Sequence, residues 1–90
     1  MNPQQQRMWE CVKMLPEKWS EPSCGAEGGG FWAVAILGRT VVWYNDIEDG
    51  FNCSTYHRYG VIAEYWADQA ELEVAVQRLI DRLEFVATRA

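Results

Sequence analysis

The chain has 90 residues and a formal net charge of −5, and 49% of its residues are hydrophobic. That length gives a single domain, which we assign to residues 1–90, and that hydrophobic content excludes a disordered chain. The net negative charge argues against a partner that is held through its phosphate groups, so we expect neither nucleic acid nor a membrane surface as a partner.

The first predicted element is a helix over residues 4–15, where apolar residues recur at helical spacing. These residues are Met8, Cys11, Val12 and Leu15. Pro16 ends the pattern. Residues 16–30 are rich in proline, serine and glycine, a composition that predicts a flexible loop.

Residues 31–66 predict four short strands, because Gly38, Gly50 and Gly60 divide them into four apolar and aromatic segments. Gly38 and the residue after it fit a two-residue type II′ turn. Gly50 and Gly60 each end a tripeptide that fits a three-residue hairpin loop with a left-handed glycine. Three consecutive hairpins predict an antiparallel meander, with its fourth strand at residues 61–66.

The last predicted element is a helix that begins at Asp68, with Glu71 completing a capping box. Its apolar stripe consists of Leu72, Ala75, Val76, Leu79, Ile80 and Leu83. This stripe fits the apolar face of the sheet. The sequence therefore predicts an α+β two-layer sandwich, in the order α-β-β-β-β-α, with both helices on one face of a four-stranded antiparallel meander.

The predicted turns also divide the strand residues between two faces of the sheet, because side chains alternate along a strand. We expect one face to form the core under the helices. It holds Trp32, Val34, Ile36, Val41, Trp43, Ile47, Phe51, Cys53, Val61, Ala63 and Tyr65. We expect the opposite face to be accessible to solvent or to a partner. It holds Ala33, Ala35, Val42, Tyr44, Asp46, Asn52, Ser54, Tyr56, Ile62, Glu64 and Trp66.

Cysteine usage and the first residues bear on the cellular compartment. The three cysteines form no CxxC pair, and if any two of them formed a disulfide, the third would remain a free thiol. Residues 1–7 are polar and do not resemble a signal peptide, and the apolar run at residues 31–37 is too short to span a bilayer. These features predict a cytoplasmic protein.

The residues that suggest metal or nucleophile chemistry do not meet its spacing requirements. Cys53 and His57 are four apart, which in an extended strand separates them by roughly 13 Å, too far for a catalytic pair or a shared zinc ion. Read as an EF-hand loop from Asn45, the chain has Ile47 and Tyr56 where calcium requires oxygen ligands. We therefore expect no metal, and we interpret Cys53 as a buried inert thiol and His57 as a structural or surface residue.

The sequence also lacks a complete set of catalytic or cofactor-binding residues. The glycines at 28–30 precede a strand, whereas a phosphate-binding loop follows a strand and opens a helix. Asp46 and Glu64 share the predicted open face, but nothing in the sequence fixes their separation or buries either carboxylate. We expect no cofactor, and a non-enzymatic protein is favoured over an enzyme.

The predicted open face favours protein binding, because tyrosine and tryptophan beside polar groups are typical of interfaces. A turn with three carboxylates adjoins it. The predicted partner-binding residues are Tyr44, Asp46, Glu48, Asp49, Asn52, Ser54, Tyr56, Glu64 and Trp66. The partner is either a second copy in a homodimer or a basic protein, as for an inhibitor or immunity-type protein.

Other interpretations remain open at this stage. Exposed tyrosines in a sheet also serve cross-strand pairing alone. A small-molecule-binding protein or enzyme would have a pocket between the sheet and residues 16–30, with Cys24, His57 or Glu64 contributing. A purely architectural component of a larger assembly fits the same sequence.

Overall fold

The computed structural model describes residues 1–25 and 29–89, with side chains described as far as Glu84. Two helices and four strands make up the fold. Their bounds are α1 Pro3–Val12, β1 Lys13–Trp19, β2 Phe31–Leu37, β3 Thr40–Asn45, β4 Gly50–Thr55 and α2 Leu72–Arg89. The strands form one antiparallel sheet in the order β1-β2-β3-β4. The predicted α+β fold with a four-stranded antiparallel meander is confirmed.

Both helices pack on the same face of the sheet, as the sequence predicted. A buried cluster joins one residue of α1 and two of α2 to residues of β2, β3 and β4. It consists of Val12, Ala35, Val42, Cys53, Ala75 and Leu79. We call this side of the sheet the helix face. The predicted stripe of α2 is confirmed at its centre, where Ala75, Val76, Leu79 and Ile80 are buried.

The first strand, β1, lies where the sequence predicted the end of a helix and the start of a loop. α1 ends at Val12, because the next residue is extended and its N–H caps the helix by bonding the carbonyl of Trp9. The extended chain then places Trp19 opposite Phe31 of β2 and buries the Trp19 ring completely. Burial of so large an aromatic side chain outweighs the loop-forming composition around it.

Pro16 is compatible with β1 because this strand is at the edge of the sheet. The register of β1 against β2 shifts between Lys13 and Glu17, which places Pro16 and Leu15 at a bulge. A proline lacks the N–H that a ladder bond requires, so edge strands and bulges are where it is tolerated. Leu15 is 89% exposed as a result. The predicted loop over residues 16–30 is therefore a strand as far as Trp19.

The turn between β2 and β3 forms as predicted. Leu37 pairs with Thr40, and Gly38 takes a φ of 58°, which a two-residue hairpin requires. Nearer the start of β2, the pairing with β3 shifts between Ala33 and Ala35, so that Val34 is an extra residue and forms a bulge. The bulge changes which residues of β2 share a face.

The turn between β3 and β4 differs in length and position from the three-residue loop predicted at residues 48–50. Asn45 pairs with Gly50, so the loop has four residues, and Asp49 rather than Gly50 takes the left-handed conformation, with a φ of 55°. Trp43 therefore pairs with Asn52 and lies on the face away from the helices. The prediction that Val41 and Trp43 share the helix face with Cys53 is wrong, because the observed register differs from the predicted one by an odd number of residues, and such a slip exchanges the faces of a strand.

The face away from the helices is also covered, so the predicted open face does not exist. Residues 56–71 run across it, and Ile62 with the half-buried Tyr56 and Tyr65 packs on the sheet. The cluster beneath them consists of Trp19, Phe31, Ala33, Val41 and Trp43. We call this side the second face. The predicted strand at residues 61–66 is wrong, because Val61 there makes only isolated bridges to Ser20 and Arg58.

Helix α2 begins later than predicted. Its first residue is Leu72, and the N–H of Val74 bonds the carbonyl of Glu71. Asp68 therefore does not cap the helix. Its N–H instead donates to Asn52 Oδ1 at 2.9 Å, and its carboxylate lies 3.0 Å from Arg78 Nη1.

Candidate functional site

The predicted partner-binding residues do not share one surface. Asn52 and Ser54 are fully buried on the second face. Asn52 donates to the carbonyls of Gly50 and Asp68, while Ser54 donates to the carbonyl of Glu64 at 2.7 Å. Both side chains hold residues 56–71 onto the sheet, so their prediction as surface contacts is wrong. Both residues lie on the face away from the helices, as predicted, but residues 56–71 cover that face and bury them.

Three carboxylates of the predicted set do remain together, in the turn between β3 and β4. We call residues 46–49 the acidic hairpin. Asn45 holds it in shape, because its Oδ1 accepts hydrogen bonds from the N–H of Ile47 at 3.0 Å and of Glu48 at 3.2 Å. Asp46 and Asp49 are exposed, and Glu48 is half-buried. Within the described residues, none of these three carboxylates forms an ion pair.

Tyr44 connects the acidic hairpin to the helix face. Its hydroxyl donates to Asp49 Oδ1 in a short hydrogen bond. That bond raises the pKa of the Tyr44 phenol, since it favours the protonated form, and partial burial and the charges of Asp49 and Asp46 add to the effect. The hydrogen bond fixes the orientation of the ring beside the carboxylates.

An aromatic row runs across the helix face from Tyr44. Trp32 of β2 pairs with Tyr44, and Tyr44 pairs with Phe51 of β4, with the Tyr44 and Phe51 ring centroids 5.2 Å apart. We call these three residues the aromatic row. Trp32 was predicted in the core, yet 46% of it is exposed. Lys18 Nζ lies 5.2 Å from the centroid of the Trp32 ring, at cation–π distance.

The other three predicted residues lie away from the acidic hairpin. Tyr56 is half-buried, its ring meets that of Trp19 edge-on with centroids 5.0 Å apart, and its hydroxyl donates to the carbonyl of Gly38. Glu64 is exposed and accepts from both the N–H and the hydroxyl of Thr55. Trp66 is 48% exposed. Glu64 and Trp66 belong to a second candidate site.

This second site is a cleft of about 470 Å³ between α2, β4 and residues 64–68. We call it the arginine cleft. Charged and polar groups line most of it, together with one tryptophan. The lining residues are Cys53, Thr55, Glu64, Trp66, Asp68, Arg78 and Arg82. The sequence places Arg78 and Arg82 on one helix, but the residues opposite them are brought there only by the path of residues 56–71.

Two thiols are exposed and one is buried. Cys11 lies in an apolar groove of about 710 Å³ between the two helices, and Cys24 is exposed in the loop after β1. Cys53 is buried as predicted, and its thiol lies 3.5 Å from the carbonyl of Ala75. Burial raises the pKa of the Cys53 thiol, which disfavours the nucleophilic thiolate.

His57 is exposed, as a surface histidine would be. Among the described side chains, no three His, Cys, Asp or Glu residues come close enough to hold a metal ion. A cavity of about 330 Å³ does lie in the loop after β1. Ser20, Glu21, Pro22 and glycines line it, and Cys24, His57 and Glu64 are not among the described residues that do so.

Comparison with known proteins adds no functional assignment. No protein family, curated protein or solved structure matches this chain. Within the residues that the structure describes, neither helix is long and apolar enough to cross a membrane. The surface chemistry of the acidic hairpin, the aromatic row and the arginine cleft is therefore the basis for a functional proposal.

Proposed function

We propose that this protein is a protein-binding module that binds a basic segment of a partner at the acidic hairpin and the adjoining aromatic row. The observation that carries the proposal is the exposure of Trp32, 46%, beside Tyr44, whose hydroxyl is bonded to Asp49. Large aromatic side chains that remain half exposed beside carboxylates are typical of surfaces that bind other proteins. An inhibitor of a basic enzyme is one class of protein that would use such a surface.

The two parts of this surface support binding in different ways. The carboxylates of Asp46, Glu48 and Asp49 attract a basic segment and orient it as it approaches. The faces of Trp32 and Tyr44 give apolar contact area and receive a lysine or arginine side chain by cation–π attraction. Lys18 already places its ammonium 5.2 Å from the Trp32 ring centroid, an intramolecular example of that contact.

The charge of the chain favours a basic partner over a second copy. Each copy carries a net charge of −5, and the acidic hairpin would face like charge across many arrangements of a homodimer. A basic segment instead gains from the same charges. The homodimer is tested directly by light scattering at high concentration, where a strictly monomeric protein is the expected result.

Binding of a synthetic lysine- and arginine-rich peptide tests the proposal, with affinity followed by fluorescence anisotropy. We expect Asp46→Asn with Glu48→Gln to weaken binding by about tenfold at low salt, since each exposed charge contributes up to about 1 kcal/mol. The double variant Asp81→Asn with Glu84→Gln on α2 changes the net charge equally and is the control. A similar loss in both would contradict a local acidic site.

Trp32→Ala tests the aromatic part, and Trp66→Ala is its matched control because the two rings are exposed to nearly the same extent, 46% and 48%. We expect only Trp32→Ala to weaken peptide binding. Lys18→Gln is expected to strengthen it, because the ammonium that covers the Trp32 ring and repels a basic peptide is removed. Affinity that is independent of salt concentration, or equal losses in both tryptophan variants, would overturn the proposal.

A further inference from the structure

The arginine cleft differs in its chemistry from the acidic hairpin, because two arginine side chains line it. The cleft volume of about 470 Å³ lies within the usual range for small-molecule sites. Its charged residues come from two walls. Arg78 and Arg82 project from successive turns of α2, while Glu64 and Asp68 come from the segment that returns along β4.

The arginines provide hydrogen-bond donors. Arg78 Nη1 lies 3.0 Å from Asp68 Oδ2, and Arg82 Nη1 donates to Thr40 Oγ1 at 2.8 Å. A guanidinium has five N–H groups in a fixed plane. Among the described contacts each arginine uses Nη1 alone, so both side chains are oriented by the protein while most of their N–H groups remain for a ligand. Two such groups, one helical turn apart, suit a carboxylate.

Glu64 provides the opposite charge. Its Oε1 accepts from the N–H of Thr55 at 3.0 Å and from the Thr55 hydroxyl at 2.6 Å. These two bonds lower the pKa of the Glu64 carboxyl, so the group is ionised at neutral pH. They also fix the carboxylate in place and leave Oε2 to accept from an ammonium group.

Trp66 completes the cleft with an apolar surface, since 48% of this residue is exposed beside the charged groups. The two arginines and the two carboxylates balance each other, so a ligand that carries only negative charge would meet repulsion as well as attraction. A ligand with both charges would meet a partner at each end.

We propose that the arginine cleft binds a small zwitterion of the α-amino acid type. In this arrangement the ligand carboxylate is held by Arg78 and Arg82, its ammonium by Glu64, and its side chain lies on Trp66. The inference is independent of the proposed protein-binding surface, because no residue of the acidic hairpin or the aromatic row lines this cleft.

Isothermal titration calorimetry of the whole chain against the standard amino acids tests the inference. The best ligand is then compared with its N-acetyl and its carboxamide derivatives, which each remove one charge. We expect either derivative to bind at least about tenfold more weakly, since each loses a charge-assisted hydrogen bond. Equal binding of the derivatives, or no binding of any amino acid at millimolar concentration, would overturn the inference.

Variants assign the binding to this cleft. Arg82→Lys keeps the charge but loses the planar array of donors, and we expect it to weaken binding several-fold, with Glu64→Gln also weakening it. Arg7→Gln, an exposed arginine on α1, is the matched control and is expected to bind as the wild type does. Trp32→Ala is also expected to retain amino-acid binding, which separates this site from the protein-binding surface. Thermal unfolding of each variant shows whether a lost signal reflects lost folding, and a folded Arg82→Lys that binds normally would contradict the assignment.

Discussion

Trp43 Nε1 donates a hydrogen bond to Ser54 Oγ at 2.9 Å, and both residues are completely buried on the second face of the sheet. The serine hydroxyl in turn donates to the carbonyl of Glu64 at 2.7 Å. One hydroxyl thus satisfies the indole of β3 and links β4 to the segment that covers the sheet. The same segment then supplies Glu64 and Trp66 to the arginine cleft, so the interior contact helps to position that site.

Ser54→Ala is expected to lower the free energy of unfolding by about 1–3 kcal/mol, because it leaves a buried indole N–H without a partner. For a domain of this size the loss corresponds to a fall of roughly 4–8 °C in Tm per kcal/mol. Urea denaturation followed by tryptophan fluorescence measures it. Ser20→Ala is the control, since the Ser20 hydroxyl is exposed and its bond to the carbonyl of Gly60 is long, at 3.4 Å.

A double-mutant cycle separates the hydrogen bond from the loss of packing. In a Trp43→Phe background the indole N–H is absent, so Ser54→Ala is expected to cost less than it does in the wild type. Equal costs in the two backgrounds would mean that the Trp43–Ser54 bond contributes nothing to stability.

Gly50→Ala is expected to destabilise the fold by about 3 kcal/mol, the upper end of what overpacking costs. A Cβ at Gly50 would lie 2.6 Å from the carbonyl oxygen of Asp68, which is backbone and cannot rotate away. Gly38→Ala is the matched control. Its Cβ would meet nothing within 4 Å, and its cost of about 1–2 kcal/mol comes from the left-handed backbone alone. If Gly38→Ala proves the more damaging in thermal unfolding, the close approach at Gly50 is not a constraint.

These two glycines also illustrate which parts of the fold were predictable from the sequence. The Gly38 turn and the stripe of α2 depend on neighbours in the chain, and both form as predicted. At the next turn the glycine suggested a left-handed position, but Asp49 takes it because Asn45 bonds two amides of the loop. A glycine is required at position 50 instead because the backbone of Asp68 lies too close to leave room for a Cβ. The two residues are distant in the sequence, so the local pattern does not reveal this contact.

The candidate sites were less predictable for a similar reason. Trp32 was assigned to the core, and it does lie on the predicted face, but 46% of it remains exposed there. The bulge at Val34 breaks the alternation of β2 further on and moves Ile36 to the second face. The pairing of Arg78 and Arg82 on one helix was visible in the sequence. Glu64 was visible too, but only the return of residues 56–71 along β4 brings it to the same cleft.

Asp49→Gly is expected to return the pKa of Tyr44 toward its ordinary value. The hydrogen bond from the Tyr44 hydroxyl to Asp49 is the main cause of the raised pKa, and a glycine removes the acceptor while tolerating the left-handed backbone. An ultraviolet titration, with Tyr44→Phe to identify the Tyr44 signal, measures the change. Asp46→Asn is the control, because Asp46 acts only through its charge and is the smallest cause. Equal shifts in the two variants would contradict the hydrogen bond as the main cause.

The stability of the loop after β1 is expected to depend on the ionisation of Glu21. Burial raises the pKa of this carboxyl, but hydrogen bonds from the N–H of Cys24 at 2.6 Å, the hydroxyl of Ser23 at 2.8 Å and the N–H of Gly25 at 3.2 Å lower it by more. Its pKa in the folded protein therefore lies below its ordinary value of 4.5. A carboxyl with a lowered pKa stabilises the fold at neutral pH, and this contribution is lost as the pH falls through the folded-state value.

Glu21→Gln is accordingly expected to lower the free energy of unfolding at neutral pH by about 1.5–3 kcal/mol, the contribution of hydrogen bonds to a charged group. The difference from the wild type is expected to shrink as the pH falls below 4.5, since the wild-type carboxyl then becomes protonated. Urea denaturation across this range measures both curves. Glu71→Gln at an exposed position removes the same charge and is the control. A Glu21→Gln difference that stays constant down to the acid limit would show that the charge of Glu21 does not stabilise the loop.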